Sequence, residues 1–181
     1  MNTHLLKIHV AKPFGNLYRT DTVLVVVRVG DRYVFGSKVG YYPDGITRLL
    51  GGGVKGDELP EQAAQREIEE ELSVTINPGQ LKKIDDVVVE AEDDLGKKYK
   101  MKTSMFFVDL SNVSTLVAGD DVTNLAYLTK EEFKKLIENF NNLPQDLWRN
   151  QDGEDFSWGD YGKLYGFVHD VALKSLERLG L

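Results

Sequence analysis

The sequence predicts an α/β fold, and three observations carry that expectation. Thr22 to Val29 is a β-branched run of the kind found in strands buried on both faces. Pro60 to Leu72 is a carboxylate-rich helical pattern with strand-like segments before and after it. A short strand, Asn124 to Leu128, then leads into a second helix, and the chain closes on a third apolar helical pattern.

In chain order, Leu6-Lys7-Ile8-His9-Val10 alternates weakly, as an edge strand or strap would, until Pro13, Gly15 and Asn16 interrupt it. Gly30-Asp31 is a tight-turn signal between Thr22–Val29 and its hairpin partner Arg32–Gly36. After the turn Tyr41-Tyr42-Pro43-Asp44-Gly45, Ile46 to Leu50 reads as a short strand entering Gly51-Gly52-Gly53. Those glycines permit positive φ and close backbone approach to a ligand. Pro60 suits the first helical position, where its missing N–H costs nothing. Asp57, Glu58 and Glu61 favour the positive end of the helix dipole.

Leu81–Glu90 and Lys98–Leu110 read as strands around the acidic turn Glu92–Gly96. Thr129-Lys130-Glu131-Glu132 is a capping box opening a helix to about Phe140. Asn141–Asp160 is polar and reads as a long loop. From Tyr161 on, Leu164, Val168, Val171, Ala172, Leu176 and Leu179 recur at helical spacing. That helix packs on its own domain or on a partner subunit, which leaves a homodimer as one expectation. The chain is read as one domain, 1–181, with a core to about 141 and a loop and helix over about 142–181.

The Pro60–Leu72 helix is where chemistry concentrates. Around Ile68, Ala64 and Leu72 form an apolar stripe, and Glu71, Glu67 and Glu70 follow in order along one flank. Neighbouring like charges destabilise a helix by a few tenths of a kcal/mol per pair. A hard divalent cation resolves that conflict, because Mg²⁺ binds carboxylate oxygens and shares its remaining positions with waters and phosphates. A solvated acidic face would account for the acids but not for the glycine run, Glu58 or Arg66.

Gly52, Glu58, Arg66-Glu67-Ile68, Glu70-Glu71 and Val74 together resemble the Nudix box in register over its whole length. Two positions depart from it: Ser73 stands where a glycine is usual, and Leu50 where a proline often precedes the glycines. The resemblance implies an α/β/α sandwich around a mixed β-sheet, with an added C-terminal helix. It implies hydrolysis of a phosphoanhydride bond in a nucleoside diphosphate linked to another moiety, with Mg²⁺ or a substituting Mn²⁺.

Carried over residue by residue, Glu67, Glu70 and Glu71 are the metal-binding and catalytic carboxylates, with the Gly51 carbonyl as a further oxygen. Glu58 and Arg66 form a structural ion pair. The catalytic base is a box glutamate or a downstream acid, of which Asp121 and its neighbour Asp120 stand before the strand at Asn124. Glu90 and Glu92 are weaker candidates. Arg48 could reach a phosphate, and Tyr42, Tyr41 or Trp158 could stack on a base. Asn77–Leu95 holds no tyrosine, and its only proline is Pro78, so the markers of dinucleoside polyphosphate and ADP-ribose specialists are not seen. The alternative reading is a non-catalytic Nudix-fold nucleotide sensor or regulatory module. Such modules usually carry a degraded box, whereas the box acids are intact here.

Composition narrows the classes further. Cysteine is absent, which removes thiolate catalysis, disulfides and cysteine-based zinc sites and suits a cytoplasmic location. It also disfavours the related isopentenyl diphosphate isomerases. The net charge of −7 argues against nucleic acid as a partner. The longest aliphatic run, Val23–Val27, is far too short to span a membrane. His4, His9 and His169 do not pair at metal-ligand spacing and read as surface or packing residues. The expected partner is a small nucleotide-derived substrate.

Overall fold

The computed structural model describes residues 1–113 and 115–181. Its centre is a mixed sheet of β1 (Thr3–Val10), β2 (Asp21–Val29), β3 (Arg32–Ser37), β4 (Lys82–Asp93), β5 (Lys98–Asp109) and β6 (Asn124–Leu128), in the order β1-β4-β5-β2-β3-β6. The β1–β4 and β2–β5 pairs are parallel, and the other pairs are antiparallel.

β2 shows why the sheet is covered on both sides. Successive side chains of a strand alternate between faces, so Val23, Val25 and Val27 point one way and Leu24 and Val26 the other. The first set packs against Ala64, Ile68 and Leu72 of α1 (Pro60–Leu72). The second faces a larger core built with α2 (Lys130–Asn141) and α3 (Trp158–Leu179), including Phe133, Phe140, Tyr165 and Val168. The result is an α/β/α sandwich whose added C-terminal helix is buried against its own chain. Among the described residues no helix is long and apolar enough to cross a membrane.

Two segments differ from the sequence expectation. Ile46–Leu50 is not a strand. Arg48 and Leu50 make only isolated bridges, to Gly36 and Val25, because this segment is caught between two strands that diverge. Asn141–Asp160 is not a loop. It folds into a two-stranded hairpin of β7 (Trp148–Gln151) and β8 (Glu154–Ser157), and α3 already begins at Trp158. Asp152 and Gly153 make its two-residue turn, both with positive φ.

The two ends of α1 are closed differently. At the start, the Leu59 N–H donates to Gln62 Oε1 at 2.8 Å. At the end, Ser73 takes the left-handed conformation, φ 55° and ψ 36°, that a glycine would adopt freely. Relieving that conformation by Ser73→Gly should raise stability by roughly 0.5–1 kcal/mol in urea unfolding. Unchanged stability would show that the serine sits there without strain.

α3 is tied to the sheet through Asp85, whose side chain is fully buried. Along β4 this residue shares the face of Val87, Val89 and Ala91, which looks toward α3. There it accepts from Ser175 Oγ at 2.5 Å, Arg178 at 2.8 Å, the Asn2 N–H at 2.5 Å and His4 at 3.1 Å. Burial alone would raise its pKa, but these hydrogen bonds outweigh it and hold the carboxyl at about 2. A depressed pKa contributes stability above the unfolded value, near 4, that is lost as pH falls toward 2. The expected contribution is about 2 kcal/mol. Asp85→Ala should cost about 3–5 kcal/mol at neutral pH and flatten that acid-side loss. A variant with the wild-type pH profile would place the titration elsewhere.

Candidate active site

The site begins where β2 and β3 separate. They pair only over Val27–Val29 and Arg32–Val34. Beyond this, residues 48–53 enter the gap and take over the hydrogen bonds. The Val25 and Val23 N–H groups donate to the carbonyls of Leu50 and Gly52 at 2.9 and 2.8 Å, and Arg48 exchanges both backbone bonds with Gly36. The fit requires glycine. At Gly51, with φ 132°, a Cβ would lie 2.2 Å from the Val23 carbonyl oxygen, and at Gly52 it would lie 2.6 Å from Glu67 Oε1.

α1 lays its acids against this wedge. Glu67 and Glu71 are buried and Glu70 is half-exposed. The Gly51 N–H donates to Glu71 Oε2 at 2.7 Å. Arg66 uses all five of its N–H donors. It holds Glu58 through Nε and Nη2 at 2.9 and 3.0 Å, Glu67 and Glu70 through Nη1 at 2.6 and 2.9 Å, and the Gly53 carbonyl at 2.9 Å. One guanidinium therefore joins the loop to the helix carboxylates. The hydrogen bond from Arg66 holds the Glu58 carboxyl below the usual range.

The acids nonetheless lack positive charge. Burial pushes Glu71 up to about 8, helped by the charges of Glu67 and Asp120 and opposed by the Gly51 N–H and Arg48. Burial also raises Glu67 in spite of Arg66. Such a donor set suits a hard divalent cation, which favours oxygen ligands and tolerates adjacent carboxylates. Among the described residues no three acidic or histidine side chains converge on a common metal position. Arg66 and Lys55 draw Glu70 aside, Arg66 draws Glu67, and the Gly51 N–H draws Glu71. The close Gly52–Glu67 approach leaves the three carboxylates lining one cradle without converging on one point.

The cradle opens into a cleft of about 520 Å³ that Arg48, Tyr42, Asp120 and Asp121 also line. Arg48 is half-buried, its guanidinium 4.3 Å from the centroid of the Tyr165 ring, and its Nε has no hydrogen-bond partner among the described residues. The Gly119 and Val117 N–H groups cap the last carbonyls of α1, at Glu71 and Leu72, and so deliver the following acids to the rim. Asp121 is exposed and paired with Lys38 at 3.2 Å. Asp120 is the closer of the two in effect, since its charge reaches Glu71.

Other candidates lie elsewhere. Glu90 pairs with Lys7 and Lys100 on the β1–β4–β5 surface, and Glu92 stands on the same strand; neither lines the cleft. Trp158 is 4% exposed and buried among aromatics, so it cannot stack on a base. Two contributors escape sequence reasoning. Arg19 lies against Gly53 on the cleft wall, brought there by the short 3₁₀ turn Gly15–Tyr18. His169 of α3 is fully buried; its Nε2 accepts from the Leu49 N–H at 3.1 Å and its Nδ1 donates to the Tyr165 carbonyl at 2.7 Å. Burial lowers its pKa to about 3, so the ring is neutral.

An α/β/α sandwich that sets helix-borne glutamates against a glycine loop, with arginines beside it, defines a hydrolase of phosphorus-containing anhydrides. The model of the NUDIX domain matches residues 17–148, and the chain belongs to this family. Among solved structures it is similar to the E. coli dihydroneopterin triphosphate pyrophosphohydrolase, at 22% identity and TM-score 0.52, over 65% of this chain and 86% of that one. It is similar to a Nudix hydrolase from M. smegmatis, at 16% identity and TM-score 0.50, over 86% and 87%. It also resembles a bifunctional NMN adenylyltransferase/ADP ribose pyrophosphatase from Francisella tularensis, at 17% identity and TM-score 0.51, over 88% of this chain and 42% of that one. These likenesses concern the fold. No curated protein sequence matches significantly.

Arg66→Lys keeps the charge but offers three donors in place of a planar five-donor fork. It should lower stability by about 2 kcal/mol in urea unfolding. A loss below about 0.5 kcal/mol would show that the network adds little.

Proposed function

We propose that this chain is a Mg²⁺-dependent pyrophosphohydrolase, with Mn²⁺ as a substitute, acting on a nucleoside diphosphate linked to another moiety. The observation that carries the reading is one cleft lined by two complementary sets of groups. One set is Glu67, Glu70 and Glu71, short of positive charge; the other is Arg48, whose buried Nε has no hydrogen-bond partner among the described residues. A metallated phosphoanhydride would supply what each set lacks. The E. coli relative is named for dihydroneopterin triphosphate and the Francisella protein for ADP ribose; we carry over the broad chemistry and neither compound.

In this reading Glu67, Glu70 and Glu71 would hold the cation, with the Gly51 carbonyl as a further ligand. Once bound there, it would supply charge neutralisation at phosphate oxygens and acidification of a water. Arg66 fixes the rotamers of Glu67 and Glu70, while its pairing with Glu58 keeps loop and helix in register. Arg48 accepts a phosphate against the Tyr165 face, and Arg19 adds charge at the same end. Tyr42 borders the moiety beyond the phosphates. Asp121, or Asp120 beside it, takes the proton from the attacking water, whose oxygen bonds to phosphorus as the bridging P–O bond breaks. Lys38 pairs with Asp121 at the rim of the cleft.

A panel of nucleoside triphosphates and nucleotide sugars, assayed with Mg²⁺, with Mn²⁺ and with chelator, tests the reaction. Turnover should need metal, and Glu70→Gln should lower kcat at least 100-fold, about 3 kcal/mol of barrier, with an unchanged melting temperature. Wild-type activity in Glu70→Gln would remove it from the ligand set. Tight nucleotide binding without turnover on any substrate would instead favour a sensor.

A further inference from the structure

The β7–β8 hairpin begins where the family match ends, at residue 148, yet it forms part of the cleft wall. Side chains alternate along β8, so Glu154 shares a face with Phe156. Phe156 is buried, 5.3 Å from Phe14 and 5.0 Å from Trp158 between ring centroids, and it seats the strand in the aromatic core. Glu154 is thereby brought to the cleft beside Tyr41 and Tyr42.

A second clamp fixes its position. Arg149, 6% exposed, stacks its guanidinium 3.9 Å from the centroid of the Tyr41 ring and donates through Nε to Glu154 Oε2 at 2.9 Å. Hairpin and tyrosine turn therefore act as one body. Arg149 takes one Glu154 oxygen and the Tyr41 hydroxyl also lies against the carboxylate, yet the side chain stays about a third exposed, at 35%, with lone pairs to spare.

The chemistry of this wall limits what it can meet. An ionised carboxylate accepts hydrogen bonds and donates none, and without a bridging cation it repels phosphate. Glu154 therefore cannot serve the phosphate chain, which the arginines and the metal cradle suit. It suits the other end of the ligand, where hydrogen-bond donors are presented next to an apolar face. The Tyr41 and Tyr42 rings, at 4.8 Å between centroids, border that end. The cleft is large enough for more than phosphates.

We propose that Glu154 is a specificity-determining residue that accepts hydrogen bonds from the non-phosphate moiety of the substrate. The donors are either the N–H edge of a heterocyclic base or the hydroxyls of a sugar. This inference rests on the pyrophosphohydrolase reading above, and it makes the hairpin the source of this chain's selectivity.

The test compares kcat/KM for GTP, ITP, ATP and dGTP in the wild type, Glu154→Gln and Asp152→Asn. Asp152 pairs with the same Arg149 at 2.9 Å but does not line the cleft, so it controls for loss of the clamp. Calorimetric dissociation constants for the same four nucleotides report selectivity even where none is turned over. The wild type should separate the four, and Glu154→Gln should shrink that separation about 10-fold or more through KM, with Asp152→Asn unchanged. A change in the GTP-to-ITP ratio assigns the contact to the base edge, and one in the GTP-to-dGTP ratio to the sugar. Wild-type protein that binds all four alike, a uniform loss in Glu154→Gln, or an equal change in Asp152→Asn would overturn the proposal. Binding selectivity that follows Glu154 without any turnover would overturn only the hydrolase reading.

Discussion

Everything at the cleft depends on a wedge of backbone between two strands. β2 and β3 cannot stay paired beyond Val27 and Val34, because residues 48–53 occupy the gap. Buried backbone groups must find partners, and the wedge supplies them through the Leu50 and Gly52 carbonyls and both polar groups of Arg48. The Gly51 N–H is left facing α1, where Glu71 accepts it. A side chain at Gly51 would strike the Val23 carbonyl and push the loop off the strand. Glycine is required here by contact as well as by conformation, and the height of the loop fixes where α1 must present its acids.

That placement costs stability. Two buried glutamates on one helix face, with Glu71 pushed to about 8, are arranged for something other than folding. Arg66 limits the cost by spending all five donors on the loop and on three carboxylates. Among the described residues it does not reach Glu71, which has the Gly51 N–H as its hydrogen-bond donor and the charge of Arg48 to oppose its burial. The cluster is thus satisfied where it joins loop to helix and undersatisfied where it faces the cleft. A cation at that face would supply the missing charge.

Legibility followed the range of the interactions. α1 and α2 are set by local signals, namely Pro60 at a helix start and a Thr129 capping box, and with β6 before α2 they fall where the sequence places them. The Ile46–Leu50 segment has strand composition but no free strand edge of regular shape, so only bridges form. The β7–β8 hairpin was hidden because its residues are polar and pair only with each other; Asp152-Gly153 was its one local signal. Within the cleft, the box acids could be read from helical spacing. Arg19 and Glu154 could not, nor could His169 buried behind the cleft, since each arrives by a contact with residues far away in the chain.

The C-terminal elements share that long-range character, and they bear on the site more than on stability alone. Arg48 rests on the face of Tyr165, and the next residue, Leu49, donates its N–H to His169. The imidazole must stay neutral to accept that bond, and complete burial keeps it so. α3 is therefore a floor under the point where the chain enters the wedge. Asp85 anchors the far end of the same helix to the sheet through Ser175 and Arg178. An element fixed at both ends can set the height of Arg48 within the cleft, just as the hairpin ahead of it sets Glu154. In the proposed reading the glycine loop and α1 set where a phosphoanhydride is cut, and α3 with its hairpin shapes the space left for the rest of the molecule.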